Sequence, residues 1–295
     1  MKVRTGKGFE LELPSSYIEM MEEAESTIFQ LLVGYPKAMK MWKLLREDPE
    51  VNADWDMSNY IAVAKLGYND HGEVHAKIVA ANALKMLRLL LESGVLPSII
   101  KERAGDEDDA HLIVLVGSLL HDIGNQVHRE NHPSFGIPLA ISVLNRLLPQ
   151  VYDEPEVMYE VRAHILHCIV SHEAEARDLT EEASIVGIAD GTDMTKGRGR
   201  LAFNKGNVNI HTVSALSIER VNVKEGEGAP VRIEVHMNNS AGIFQVQETL
   251  GKKVKGSPIE DYVEIVAVTV PDEPKSDQRI VHQLIVKEGR FRSKD

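Results

Sequence analysis

A single cysteine, Cys168, stands in a chain of 295 residues, so no intrachain disulfide forms and no paired-thiolate zinc motif is available. Long apolar runs are missing as well. Stretches such as Leu112 to Leu120 fall far short of the roughly 20 residues that span a bilayer. The N-terminus, Met1-Lys-Val-Arg-Thr-Gly-Lys7, has no apolar signal core. The expectation is a cytoplasmic protein with no membrane partner. Positive charge is short too: 33 Lys and Arg against 45 Asp and Glu leave a net charge of −12. Broad nucleic-acid binding is disfavoured, because counterion release needs a basic surface. A small anionic substrate, steered locally, is compatible with that balance. Any bound metal has to be held by His, Asp or Glu.

What the chain does have is apolar substance, 43% of its residues, enough for one large domain or two smaller ones. From about Ser15 to Ile188 the apolar residues recur at helical spacing, as in Ile78-Val79-Ala80-Ala83-Leu84-Met86-Leu87. Breakers at Gly94 to Pro97, Gly105 to Asp109, His132 to Gly136 and Pro149 to Pro155 divide this stretch into about seven helices. After Gly199 the texture changes. Ala215 to Val223 and Val231 to Met237 alternate apolar and polar residues around the turn-forming Glu225-Gly-Glu-Gly-Ala-Pro230, which predicts a β-hairpin. A helix is expected from about Gly242 to Val254, then strands at Tyr262 to Val270 and near Ile280 to Val286, with a polar loop at Pro271 to Gln278 and a fraying end from Arg290. The fold class is α+β: a helical unit over residues 1–205 and a small β-β-α-β-β unit over 206–295. A strand-rich unit of this size suits homo-oligomer formation or ligand sensing, and the sequence does not choose between them.

Chemistry concentrates at His121-Asp122, which close the apolar helix ending Gly117-Ser-Leu-Leu120. An imidazole and a carboxylate there are costly to bury unpaired, and a divalent metal would offset them. His75, near the start of another helix, reads alone as a satisfied core residue; beside the dyad it becomes a candidate ligand. Asp190 ends the apolar run Ser184-Ile-Val-Gly-Ile-Ala189, where it caps the helix or joins the same site. Ligands on separate helices leave open positions for water. His132 and His172 are candidates for a second ion, with Asp122 bridging it to the His75, His121 and Asp190 ion. His164 and His167 rival His172, while His71 and His128 stand four residues before His75 and His132 and serve as supporting or additional ligands.

The order of these residues resembles the HD-domain superfamily of metal-dependent phosphohydrolases, named for its central His-Asp pair. The likeness covers about Asn59 to Lys196 and rests on Gly72-Glu-Val-His75, Leu119-Leu-His-Asp-Ile-Gly124 and Ile188-Ala-Asp190. His132-Pro-Ser-Phe-Gly136 and Ile169-Val-Ser-His172 resemble the two intervening histidines of dinuclear members. Asn125 stands where a lysine often follows, and no Gly-Tyr-Pro motif follows His172, so a cyclic-di-GMP phosphodiesterase of the HD-GYP type is not indicated.

The resemblance implies an HD-type helical domain and hydrolysis of a small, nucleotide-like phosphoester by a metal-activated hydroxide. One or two divalent ions among Mn, Fe, Co, Ni, Zn and Mg would serve, since the donor set does not select. Two other readings stand beside it: an HD-type di-iron oxygenase, and a non-catalytic, metal-stabilised ligand sensor. Positive charge for a phosphate is expected from Lys196, Arg198 and Arg200, in a glycine-rich stretch that reads as an anion loop or as a solvated linker. Lys77 lies on a different helix face from His75. Asp193 is expected to orient a ligand, to transfer a proton to the leaving group, or to cap a turn. Asn238 to Phe244 opens a helix, as an anion-binding N-terminus or an ordinary N-cap.

Overall fold

The computed structural model describes residues 2–5, 9–12, 15–173, 176–204, 210–269, 283–287 and 290–293. The expected loop from Pro271 to Gln278 lies outside the described residues. The chain opens with a hairpin, β1 (Lys2–Thr5) and β2 (Phe9–Glu12). Helices follow: α1 (Ser15–Leu31), α2 (Pro36–Glu47), α3 (Pro49–Asn59) running into a π-helical stretch (Tyr60–Lys65), α4 (Glu73–Glu92) and the single turn α5 (Ser98–Lys101). Then come α6 (Glu107–Leu120), a 3-10 turn (Ile123–Gln126), α7 (His132–Leu147), α8 (Pro155–Ser171), α9 (Glu181–Thr192), α10 (Lys196–Asn204) and α11 (Ile210–Ala215).

Local chemistry sets several helix starts. Asp48 accepts from the backbone N–H groups of Glu50 and Val51 to open α3, and Thr180 accepts from Ala183 to open α9. Asp106 and Asp109 form a reciprocal capping box on α6, with the Lys37 ammonium 3.0 Å from Asp106 and 2.6 Å from Asp109. His132 to Gly136, expected as a connection, is instead the first turn of α7. Its proline falls in that first turn, where a missing N–H leaves no hydrogen bond unmade.

Helices α4 and α6 are buried on nearly every face, the pattern of helices enclosed by others. Helix α4 packs against α1, α6 and α9, and α6 against α2, α8 and α9. Behind this bundle stands a five-stranded sheet in the order β3 (Ile218–Glu225), β4 (Val231–Met237), β5 (Val263–Thr269), β6 (Gln283–Lys287), β7 (Arg290–Ser293). The β4–β5 pair is parallel and the others antiparallel. A parallel pair needs a crossover. Residues 240–254 supply it as α12 (Ile243–Gln245), a π-helical stretch (Val246–Gly251) and α13 (Lys252–Val254). Alternate residues Ile233, Val235 and Met237 of β4 and Ile265 and Ala267 of β5 are buried, and they join the helices in one continuous apolar core. The protein is thus mostly helical with a C-terminal sheet, an α+β architecture. Arg290, where fraying was expected, begins β7 and pairs with Lys287.

Two residues next to the dyad give tests of the packing. A Cβ on Gly124 would lie 1.9 Å from the His132 carbonyl oxygen and 2.5 Å from the Gly136 nitrogen, both backbone atoms. Gly124→Ala should therefore cost about 2–3 kcal/mol of stability or more in urea unfolding; a change near zero would contradict so close an approach of the 3-10 turn to α7. Asp54 is buried, with Oδ1 accepting from Gln126 at 2.7 Å and Oδ2 lacking a partner among the described residues. Burial raises its pKa from 3.8 to about 6, so the folded state binds the extra proton in that window and stability falls as pH rises through it. Asp54→Asn should be more stable than wild type by about 1 kcal/mol near neutral pH, after discounting for solvent screening, with no gain at about pH 4. Thermal melts at the two pH values decide it, and a pH-independent difference would remove Asp54 as the cause.

Candidate metal centre

Five helix ends converge at one end of the bundle. His75 sits in the first turn of α4, His121 and Asp122 follow α6, His132 opens α7, His172 follows α8, and Asp190 occupies the last turn of α9. Three of these are C-terminal ends, whose carbonyls present partial negative charge and favour a cation. The loop before α4 is braced: Asn59 donates to Asp70 at 2.5 Å and accepts from the His71 N–H at 2.8 Å, while Asp70 accepts from the His75 N–H at 2.8 Å. At the end of α6 the Leu119 carbonyl accepts from the Trp55 indole at 2.9 Å.

Each of the four central imidazoles has its Nδ1 committed to an acceptor. His121 Nδ1 meets the Ser118 carbonyl at 2.7 Å, His172 Nδ1 the Ile169 carbonyl at 2.7 Å, His132 Nδ1 the Arg129 carbonyl at 3.0 Å, and His75 Nδ1 the Asp193 carboxylate at 2.7 Å. A carbonyl or carboxylate only accepts, so each Nδ1 carries the proton and each Nε2 is left to bind. Arg129 Nη1 is 3.3 Å from both ring nitrogens of His132 and so aligns with neither. The Nε2 atoms face each other in pairs, His75 with His121 at 3.1 Å and His132 with His172 at 3.0 Å. Facing lone pairs repel unless a cation or a proton lies between them.

Asp122 stands between the pairs and gives one oxygen to each. Its Oδ2 is 3.4 Å from His75 Nε2 and 3.3 Å from His121 Nε2; its Oδ1 is 3.0 Å from His132 Nε2 and 3.7 Å from His172 Nε2. Asp190 Oδ1 completes the first group, 3.0 Å from His75 Nε2 and 3.8 Å from His121 Nε2. Glu173 borders the second, with Oε1 3.6 Å from His132 Nε2. Donors about 2.1 Å from one ion are separated by about 3.0–3.4 Å, so these spacings fit metal coordination. His75, His121 and Asp190 form one cluster able to hold a metal, and His132, His172 and Glu173 another.

The charges agree with that use. Although burial opposes ionisation, His121 and His71 hold Asp122 well below the usual carboxylate range, and Lys253 followed by His75 does the same for Asp190. Burial pushes His172 well down, helped by His121 and His132. His75 differs: against burial and the Arg198 charge, hydrogen bonds to Asp122, Asp190 and Asp193 raise its pKa to about 10. A proton and a metal ion compete for that nitrogen.

A second layer orients the first. Asp193 lies behind His75, and the Tyr17 hydroxyl donates to the same Asp193 oxygen at 2.8 Å. Asn125 donates to Asp122 Oδ1 at 2.9 Å, and His71, pushed down to about 3 by burial, donates its Nδ1–H to Asp122 Oδ2 at 2.7 Å. Lys253 reaches in from α13 to Asp190 Oδ2 at 2.5 Å. Above the cluster opens a cavity of about 410 Å³, lined among others by His71, Asp122, Asp190, Arg129, Arg198 and Lys253.

The structure brings His75, His121, Asp122, His132, His172 and Asp190 together, with Asp193 next to them. His172 caps the C-terminal end of α8 with helical dihedrals and enters the cluster. His164 has a buried Nδ1 without a partner among the described residues, and His167 accepts from the Leu179 N–H. His128 is exposed. Lys77 pairs with Glu25 and Glu73, and Asn239 is an ordinary N-cap to Ala241. The stretch Lys196 to Arg200 is the start of helix α10, where an anion loop or solvated linker was expected. Gly199 is there for close packing: a Cβ on it would be 2.8 Å from the Ala215 side chain. Lys196 pairs with Glu219, Arg200 is exposed, and only Arg198 of the three lines the cavity. Glu173, Arg129 and Lys253 escaped the sequence reading. His71 carried a signal, its place one helical turn before His75.

Fold and centre together define a mostly helical α+β protein with a buried histidine–carboxylate cluster able to hold metal. The M. jannaschii protein named Uncharacterized protein MJ1020 (Methanocaldococcus jannaschii) is 46% identical over 243 residues, covering 82% of this chain and 93% of that protein, and the chain belongs to its family. No family model matches the chain, and no solved structure matches it.

Asp122→Ala should strip metal from protein purified without added metal, because both groups lose an oxygen, whereas His172→Ala should lower the metal content without unfolding the chain. Elemental analysis with circular dichroism reads both. Undiminished metal in Asp122→Ala would remove the cluster as the binding site.

Proposed function

We propose that the protein is a metal-dependent phosphohydrolase of the HD type, acting on a small, nucleotide-like phosphoester, with Asp122 bridging two divalent ions. The observation that carries the reading is the division of the Asp122 carboxylate between two imidazole pairs whose Nε2 atoms all face inward. The order His75, His121-Asp122, Asp190 along the chain supports it, as does the basic lining of the cavity. Bound divalent ions would supply Lewis acidity toward a phosphoryl oxygen and a reactive water near neutral pH.

The chain's own residues account for binding and orientation. Arg198 is buried, with Nε donating to the Asp70 carbonyl and Nη1 to the Asp193 carbonyl, each at 2.9 Å. Among the described residues Nη2 has only a marginal contact with His71, at 3.5 Å, so it is the nitrogen left for an anion. Arg129 stands across the cavity, 3.1 Å from Glu173. Asp193 acts through His75, fixing its tautomer, and is a positioning residue in this scheme rather than a proton donor to the leaving group. Lys196 and Arg200, pointed away or paired elsewhere, take no part.

Protein loaded with Mn or Co should release phosphate from small phosphoesters under anaerobic conditions. Arg198→Ala should lower kcat/KM by roughly 10–100-fold, the worth of a charge-assisted hydrogen bond. A panel of nucleotides, cyclic dinucleotides and aryl phosphates tests this. Oxygen uptake by the Fe-loaded protein with no phosphate release would instead favour a di-iron oxygenase.

A further inference from the structure

The crossover between β4 and β5 lies against the metal cluster. Gln245, Thr249 and Lys253, spaced four residues apart along it, all line the cavity. Lys253 goes deepest. Its side chain is 7% exposed, and its ammonium is shared between Asp190 Oδ2 at 2.5 Å and the backbone carbonyl of His172 at 2.7 Å. One side chain from the C-terminal sheet region thus grips a residue of each histidine group.

The two oxygens of Asp190 have different partners. Oδ1 faces His75 and His121, while Oδ2 is taken by the ammonium. We infer that Lys253 is a positioning residue that limits Asp190 to one-oxygen coordination and so keeps a position on the His75–His121 ion open for water or substrate. A free carboxylate can chelate through both oxygens and close such a position. An oxygen held by a charge-assisted hydrogen bond is withdrawn from the metal. The second bond, to the His172 carbonyl, fixes the ammonium in place, so the restriction does not depend on a mobile surface lysine. The C-terminal segment is then part of the centre. This role needs a metal in the cluster and is indifferent to what the substrate is.

The test uses full-length protein loaded with manganese and reads water-proton relaxivity per bound ion, which reports exchangeable water on the metal. Lys253→Met should bind manganese yet lose relaxivity, as the second Asp190 oxygen displaces water. Lys253→Ala is a second variant, in case the methionine form does not fold, and should behave alike. Lys253→Arg should restore the wild-type value. Unchanged relaxivity in the Met and Ala variants overturns the role. So does loss of manganese from them, which would make Lys253 a support for the ligand rather than a limit on it. Wild-type protein that binds none of manganese, iron, cobalt, nickel or zinc at any ratio would sink the metal reading itself, a distinct outcome.

Discussion

The buried carboxylate of Asp122 is the constraint around which the rest is arranged. A full negative charge at 5% exposure is tolerated only if its oxygens are matched, and here they face four imidazole nitrogens and accept from His71 and Asn125. Those partners come from four different helix ends, so satisfying one side chain fixes where α4, α6, α7 and α8 begin or stop. The apolar bulk of α4 and α6 then serves a second purpose besides stability. It holds the helix axes rigidly enough that Nε2 atoms from distant parts of the chain meet at 3.0–3.1 Å.

Each imidazole is oriented from behind. The Ser118 and Ile169 carbonyls that hold His121 and His172 come three residues earlier on the same helices. These carbonyls would otherwise be orphans at a helix end, so capping and ligand orientation are one device. His132 uses the Arg129 carbonyl, also three residues earlier, whereas Asp193 with Tyr17 takes that place behind His75. This explains why its environment is the most acidic and why its proton affinity is raised where that of His172 is depressed.

What could be read from the sequence follows the same physics. His121-Asp122 and Asp190 stood out because each interrupts an apolar helix at its end, and the elements bearing them show strong periodicity. The tail was legible because alternation in Val231 to Met237 contrasts with the helical spacing before it. Glycine and proline misled where they served packing rather than turns: Gly199 seats α10 against α11, and Pro133 sits in the first turn of α7. Arg129, Glu173 and Lys253 gave no local signal, since charged residues on helices or near their ends look solvated until the fold turns them inward. Lys253 meets Asp190 across 63 residues of chain, a pairing that no spacing rule reaches.

The electrostatic balance of the centre bears on how a chain of net charge −12 could hold an anion. With His75 neutral, as a metal ligand must be, Asp122, Asp190, Asp193 and Glu173 outnumber Arg129, Arg198 and Lys253 around the cluster, so the side chains of the metal-binding form would by themselves repel a phosphate. Divalent ions reverse the sign locally, within a cavity whose low-dielectric walls strengthen the field. The buried arginine then has a defined use. With Nε and Nη1 tied to backbone carbonyls, Arg198 cannot collapse onto Asp193, whose Oδ2 remains 3.6 Å from Nε. Its charge is kept available at the cavity wall, so anion affinity in this arrangement depends first on metal occupancy and only then on the basic side chains.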